Sequence, residues 1–312
     1  MIVSCGEALI DFVPATTVDG RPAYVPCVGG SPFNVARGIG RLGVPAGFLG
    51  GISTDFFGDD LVRALHASRV DTRYVLRLRR PSTLAFVSLA NAEPEYVFYD
   101  AEAADRFWAP AEPLQEDVTV LHFGSNSLLG EPAAQRFETL MRENKGRRIL
   151  SLDPNIRPTL VIDEAAYRGR LRSVLSLADV IKISAVDLAW FAPSSTHAAL
   201  AAEWLAAGAS LVIVTLGPEG ARAFGKTGSV LCPGVSVKVV DTVGAGDSFT
   251  SALLAGLARL RFEMGHGLSG LGQEEIQALV GFAIRASALT CGRRGADPPW
   301  ENEIELVRAS PA

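Results

Sequence analysis

The sequence predicts an α/β fold in three layers, a mostly parallel central sheet between helices, with a small second sheet beside it. Three observations lead there. Short strand-like runs alternate with helix-like runs over most of the 312 residues. Those runs are rich in Val, Ile and Leu with little polar alternation, the pattern of strands buried on both faces. Three more strand-like segments have no helix among them and so form a sheet of their own.

The elements follow in order. IVSCGEALI (2–10) is the first strand, a helix runs from Pro32 to Leu42, AGFLGGI (46–52) is a strand, and a helix runs from Phe57 to Arg69. VTVLHFG (118–124), RRILSLD (147–153), DVIKIS (179–184) and SLVIVTLG (210–217) are strands, with helical stretches at 132–145, 164–177 and 197–207. Ala-rich helices at 245–260 and 273–291 close the pattern. RPAYVPCV (21–28), STLAFVSLA (82–90) and EYVFYDA (95–101) are the separate segments, with ANAEPE as a hairpin connection. The competing arrangement makes them an antiparallel edge of the main sheet.

Composition excludes several classes. With 29 Lys+Arg against 34 Asp+Glu the formal charge is −5, the wrong balance for a nucleic-acid binder. The most apolar run, Phe249 to Ala258, is far short of the roughly 20 residues of a membrane span. The start, MIVSCGEALIDF, lacks the basic region of a secretory signal. Cys5, Cys27, Cys232 and Cys291 form no CxxC pair, so reduced thiols in a cytoplasmic protein are expected. The four histidines are scattered and read as surface or packing residues.

Three literal phosphate-loop patterns fail on context. Gly38-Ile-Gly40-Arg-Leu-Gly43 ends a helix, and Gly265-His-Gly267-Leu-Ser-Gly270 lies between helices, whereas the mechanism requires strand, turn and helix start. Gly220–Thr227, GARAFGKT, is followed by a strand-like run, so Gly225-Lys226-Thr227-Gly228 reads as a hairpin turn.

Two glycine-rich segments survive. Asp241-Thr242-Val243-Gly244-Ala245-Gly246-Asp247 joins the β-rich run VSVKVV to a helix. Gly244, Ala245 and Gly246 place unpaired first-turn N–H groups where an anion could bind. Asp247 either caps this helix or takes a proton from a hydroxyl while the amides hold a transferring phosphoryl group. Gly29-Gly30-Ser31-Pro32-Phe33-Asn34 opens another helix, with Ser31 as N-cap and Pro32 first in the helix. Asn34 offers a donor and an acceptor to a sugar hydroxyl.

Asp11, after the first strand, can accept from two hydroxyls of a polyol, since open α/β sheets bind ligands at strand carboxyl ends. Asp153-Pro154-Asn155-Ile156-Arg157 follows another strand, where Arg157 stabilises phosphate charge or simply belongs to a stiff surface loop. Lys182-Ile183-Ser184-Ala185-Val186-Asp187 and Thr215-Leu216-Gly217-Pro218-Glu219-Gly220 are polar segments in the same position.

At GGSPFNVARGIGRLG and DTVGAGDSF the chain resembles the ribokinase-like, or PfkB, family of carbohydrate kinases, over essentially its whole length. CGEALIDFVP, RPSTLAF, YVFYD and SLDPNIRP most resemble bacterial fructokinases within it. The resemblance implies one ribokinase-like α/β kinase domain over 1–312, with a β lid from about 12–28 and 82–101. It implies transfer of the ATP γ-phosphoryl, with Mg2+, to a sugar hydroxyl, giving fructose 6-phosphate, in a dimer, and the apolar outer faces of lid strands such as LAFVSL point to a homodimer joined through the lid. By that resemblance Asp247 is the base and Gly244, Ala245 and Gly246 the anion hole. Asp11, Gly29, Gly30, Asn34 and Phe98 take the sugar, and Arg157 lies near sugar and phosphate. Thr215, Gly217, Gly220 and Ser184 join Gly244 and Gly246 in holding the nucleotide. Asp241 and Gly295 match a monovalent-cation site, with K+ the candidate ion.

Two departures stand out. Ser184 and Asp187 replace an Asn-x-x-Glu element, which leaves Asp187 to hold Mg2+ through water. Pro299 stands where ribokinases carry a Ser ligand, which leaves K+ activation open. A 2-keto-3-deoxygluconate kinase is the near alternative. It is disfavoured because Asp100, in the lid, would repel a substrate carboxylate. A regulatory sugar-binding member is the third reading, and retention of Asp247 argues against it.

Overall fold

The computed structural model describes residues 1–88, 95–108, 113–264 and 268–308. In chain order the strands are β1 (Ile2–Cys5), β2 (Leu9–Thr16), β3 (Pro22–Gly29), β4 (Ala46–Ser53), β5 (Val70–Asp71), β6 (Val75–Leu78) and β7 (Thr83–Ser88). They continue with β8 (Glu95–Tyr99), β9 (Val120–Gly124), β10 (Ile149–Asp153), β11 (Val180–Ser184), β12 (Leu211–Thr215), β13 (Ala221–Gly225) and β14 (Gly228–Cys232). The helices are α1 (Ser31–Arg41), α2 (Phe56–Ala67), α3 (Ala133–Asn144), α4 (Glu164–Leu177), α5 (Ala185–Phe191), α6 (His197–Ala206), α7 (Ala245–Met264), α8 (Gln273–Cys291) and α9 (Glu301–Arg308).

The main sheet has the order β14-β13-β12-β11-β10-β9-β1-β4-β5, with β6 also pairing β4. From β12 to β5 the pairs are parallel, and the β12–β13 and β13–β14 pairs are antiparallel. Alternation along each strand sorts side chains onto two faces. In β12, Leu211 and Ile213 pack with Phe33, Ile39, Phe249 and Leu253 of α1 and α7. Val212 and Val214 pack with Phe137, Leu171 and Trp204 of α3, α4 and α6. This is the expected three-layer arrangement, and each such buried Leu, Ile, Val or Phe contributes about 1.5–3 kcal/mol.

Helix starts follow their caps. The side chains of Asp55, Asp163 and Thr196 accept from Gly58, Ala166 and Ala199 N–H at the heads of α2, α4 and α6. Asp55 also accepts from Ser82 N at 2.9 Å, which ties the root of β7 to α2.

The three separate segments form a second sheet together with β2, in the order β3-β2-β7-β8, rather than an edge of the first. Register puts Asp11 opposite Ala85, and Ala85 opposite Phe98, so Asp11 and Phe98 share one face. The other face is aromatic. Phe12 stacks on Phe86 at 4.6 Å, with Tyr24 and Tyr99 edge-on to Phe86 at 5.6 and 5.7 Å.

Some expectations fail locally. IVSCGEALI is two strands: β1 belongs to the main sheet and β2 crosses into the second, with Gly6, Glu7 and Ala8 between them. The apolar residues at 9 and 10 hide this break, because their partners, Gly29 with Thr83 and Val28 with Leu84, are distant in sequence. VSVKVV forms no strand, and Val235, Val237, Val239 and Val240 are exposed. The hairpin turn at Lys226 and Thr227 is present, with Gly225 paired to Gly228. The Gly38–Gly43 pattern ends α1 as expected. Most of the ANAEPE connection and the Gly265–Gly267 part of the Gly265–Gly270 pattern lie outside the described residues.

Candidate active site

The head of α1 and the head of α7 meet. Gly30 is the N-cap of α1 at φ +104°, a left-handed conformation that favours glycine, and an added Cβ would lie 2.7 Å from the Glu7 carbonyl. Ser31 is therefore the first helical residue, not the cap, and Pro32 the second. The Ser31 hydroxyl points across to α7 and donates to Asp247 Oδ1 at 2.6 Å. Asn34, one turn on, donates from Nδ2 to Asp247 Oδ2 at 2.9 Å. Both oxygens of Asp247 are thus engaged by α1. Asn34 Oδ1 is buried without a hydrogen-bond partner, the remaining unsatisfied acceptor of this side chain.

Asp247 is 7% exposed. Burial raises its pKa, the Ser31 and Asn34 hydrogen bonds lower it, Asp153 raises it and Lys182 lowers it. The result is a carboxylate more basic than usual, as a general base needs to be. Gly244, at φ +76°, turns the chain into α7, and a Cβ there would meet the Ala296 Cβ at 2.6 Å. Ala245 N already donates to the Thr242 carbonyl at 3.3 Å. Gly246 and Asp247 follow in the first turn, where N–H groups have no carbonyl four residues back within the helix.

Asp11 faces the same space from β2, within the second sheet rather than at the carboxyl end of the first strand. Burial, then the charge of Asp247, pushes its pKa up to about 7, and Arg157 pulls it down. Its carboxylate folds over Gly29, where an added Cβ would lie 2.2 Å from Oδ2. Arg157 turns its guanidinium back on its own loop, with Nη1 donating to the Asn155 side chain at 2.7 Å and to the Asn155 carbonyl at 3.1 Å.

Ser184 is the N-cap of α5, accepting from Asp187 N at 2.9 Å. Asp187 is buried and accepts from Ile156 N at 3.2 Å. Its pKa is raised by burial and by Asp153. Among the described residues no group of three or more His, Cys, Asp or Glu side chains is arranged to hold a metal. Asp187 is the carboxylate at hand for a cation, since Asp153 is already paired with the Lys182 ammonium.

Thr215 sits beside Ser184 in register at the ends of β12 and β11. Gly217 and Gly220 form the short turn that follows, both at positive φ. Asp241 and Gly295 are brought together: Gly295 N donates to Asp241 Oδ2 at 2.8 Å and Val243 N to Oδ1 at 3.0 Å. Asp100 does not project a bare charge, since it is ion-paired with Arg106. That removes the electrostatic objection to an acidic sugar.

The residues missed from sequence are Lys182 and Asp153. They form a buried ion pair at 2.7 Å, 6% and 1% exposed. The available signal was a charge in each of two otherwise apolar strands, VIKIS and ILSLD.

A family model described as pfkB family carbohydrate kinase matches residues 1–303. The chain belongs to the pfkB family of carbohydrate kinases. This pfkB chain is 43% identical over 259 residues to a fructokinase of Rhizobium leguminosarum bv. trifolii, covering 82% of the chain and 79% of that protein. It is 33% identical over 320 residues to fructokinase-1 of Oryza sativa subsp. japonica, covering 99% and 97%. Among solved structures it is similar to a fructokinase with bound ATP from Xylella fastidiosa, at TM-score 0.88 and 30% identity over 98% and 97% of the two chains. No helix among the described residues of this family member is long and apolar enough to cross a membrane.

Proposed function

We propose that this chain is an ATP-dependent fructokinase that converts D-fructose to fructose 6-phosphate. The observation that carries the reading is Asp247, buried at the head of α7 and held by Ser31 and Asn34. Asp11, Gly29, Gly30, Asn34 and Phe98 bind the sugar. Asp247 takes the proton of the 6-hydroxyl as that oxygen bonds to the γ-phosphorus and the bond to the bridging oxygen of ADP breaks. The amides of Gly244 and Gly246 at the head of α7 take up negative charge on the transferring group, with Ala245, whose N–H is held by the Thr242 carbonyl, shaping the turn between them and Arg157 beside it. Thr215, Gly217, Gly220 and Ser184 line the nucleotide loop. Fructokinase relatives and an ATP-bound structural neighbour support the assignment.

Asp187, through water, would hold Mg2+, which supplies charge neutralisation on the phosphates when bound. The loop of Asp241 and Gly295 is the place for K+, and rates in K+ against Na+ buffer decide whether the ion is used. The chain acts as one kinase domain, with the β3-β2-β7-β8 sheet as a lid that closes over the sugar and keeps water out. Its aromatic outer face, where Tyr24, Val97 and Tyr99 are 50%, 57% and 64% exposed, supports a lid-to-lid homodimer. Four free cysteines support a reducing, cytoplasmic setting.

The Asp100–Arg106 pair favours keeping a second reading, a kinase of 2-keto-3-deoxy sugar acids. A coupled assay with ATP and Mg2+ over a sugar panel separates the two. Fructose is expected to give the highest kcat/KM, and a preference for the keto-deoxy acid would overturn the proposal.

A further inference from the structure

Buried ion pairs seldom stabilise a fold more than an apolar pair of the same volume would, because two charges lose their hydration. The Lys182–Asp153 pair therefore calls for a role other than stability. Its neighbour on the same layer is neutral: His122 bonds Ser151 at 3.1 Å, and burial pushes its pKa down to about 4.

The pair is oriented. Lys182 Nζ lies against Gly246, where an added Cβ would sit 3.2 Å away. Asp153 Oδ2 accepts from Thr250 Oγ1 at 3.2 Å, one helical turn deeper in α7. The positive end thus faces the first turn of α7 and the negative end the second, so the pair's dipole runs parallel to that of the helix. A side chain at 246 would press on the ammonium by a few tenths of an ångström.

Resting on the phosphoryl-transfer reading of this site, we propose that Lys182, anchored by Asp153, is a positioning residue. It reinforces from behind the field that the α7 amides apply to the transferring phosphoryl group, and its positive charge offsets part of the charge that Asp153 places near Asp247. The groups that face Asp247 are Ser31 and Asn34 from α1, Asp11 from β2, Asp153 from β10 and Lys182 from β11.

The test compares Lys182→Met with the double variant Lys182→Met/Asp153→Asn. The single variant leaves Asp153 buried and unpaired. It is expected to lose thermal stability, to lose kcat, and to move the acid limb of its kcat profile to higher pH. The double variant removes both charges. Its melting temperature and acid limb are expected to return towards wild type, while kcat stays about 10- to 100-fold low and KM for fructose moves less than about threefold. Recovery of kcat together with stability would make the pair purely structural and overturn the proposal.

If wild type phosphorylates a different sugar, the same comparison runs on that sugar and only the fructose assignment falls. If it phosphorylates none, calorimetry with AMP-PNP and ADP decides. Selective weakening of AMP-PNP in the double variant supports the role of Lys182, and equal affinities for the two proteins overturn it.

Discussion

Asparagine in place of Asp11 keeps the side chain's shape and removes a charge that the fold carries at a cost. The carboxyl's ordinary value of 3.8 is pushed to about 7, first by burial and then by Asp247. A rise of about three units at about 1.4 kcal/mol each gives about 4 kcal/mol, and its partial exposure reduces this to about 2–4 kcal/mol. The sign follows from the native state binding the proton more tightly than the unfolded chain. The penalty is absent below the unfolded value of 3.8, grows between there and about 7, and is complete above it. Asp11→Asn is therefore expected to melt higher than wild type near pH 8.5, by roughly 3–6 °C, with less than half that gain near pH 5. KM for fructose should rise by about 100-fold, because an amide replaces an acceptor of two hydroxyls. Scanning calorimetry of both proteins at the two pH values measures the first effect. A gain that does not depend on pH, or a loss at the higher pH, would show that the buried Asp11 carboxylate carries no such penalty.

Two further predictions concern Asp247's neighbours. Ser31→Ala removes a hydrogen bond that lowers the Asp247 pKa, so the acid limb of the kcat profile should move to higher pH while the melting temperature changes by only a few degrees. Gly244→Ala combines a positive φ with a 2.6 Å clash against Ala296, and should lose about 1–3 kcal/mol of stability in urea unfolding along with most of the turnover.

Much of the fold is legible because buried parallel strands write themselves as short apolar runs. The stretch 164–177 reads as a helix and is α4, Glu164–Leu177, since Asp163 caps it. The end of β1 is not legible, because Leu9 and Ile10 are apolar for the sake of a different sheet. VSVKVV misleads for the opposite reason: its β-branched residues are there without a partner strand, and its valines face outward. The site divides the same way. Asp247, Asn34 and the glycines are visible as motifs at helix heads. The contact of Ser31 with Asp247 spans 216 residues and the Lys182–Asp153 pair spans 29, and only the packed sheet and helices bring them together.

In the proposed reaction Asp247 removes the proton from the sugar hydroxyl. Asp247→Asn keeps a side chain of the same shape between Ser31 and Asn34 and deletes the base. Steady-state kinetics with fructose and ATP should give a kcat lower by about 10²- to 10⁴-fold, with KM for fructose changed by only a few-fold. A variant whose kcat stays within about tenfold of wild type would contradict the account.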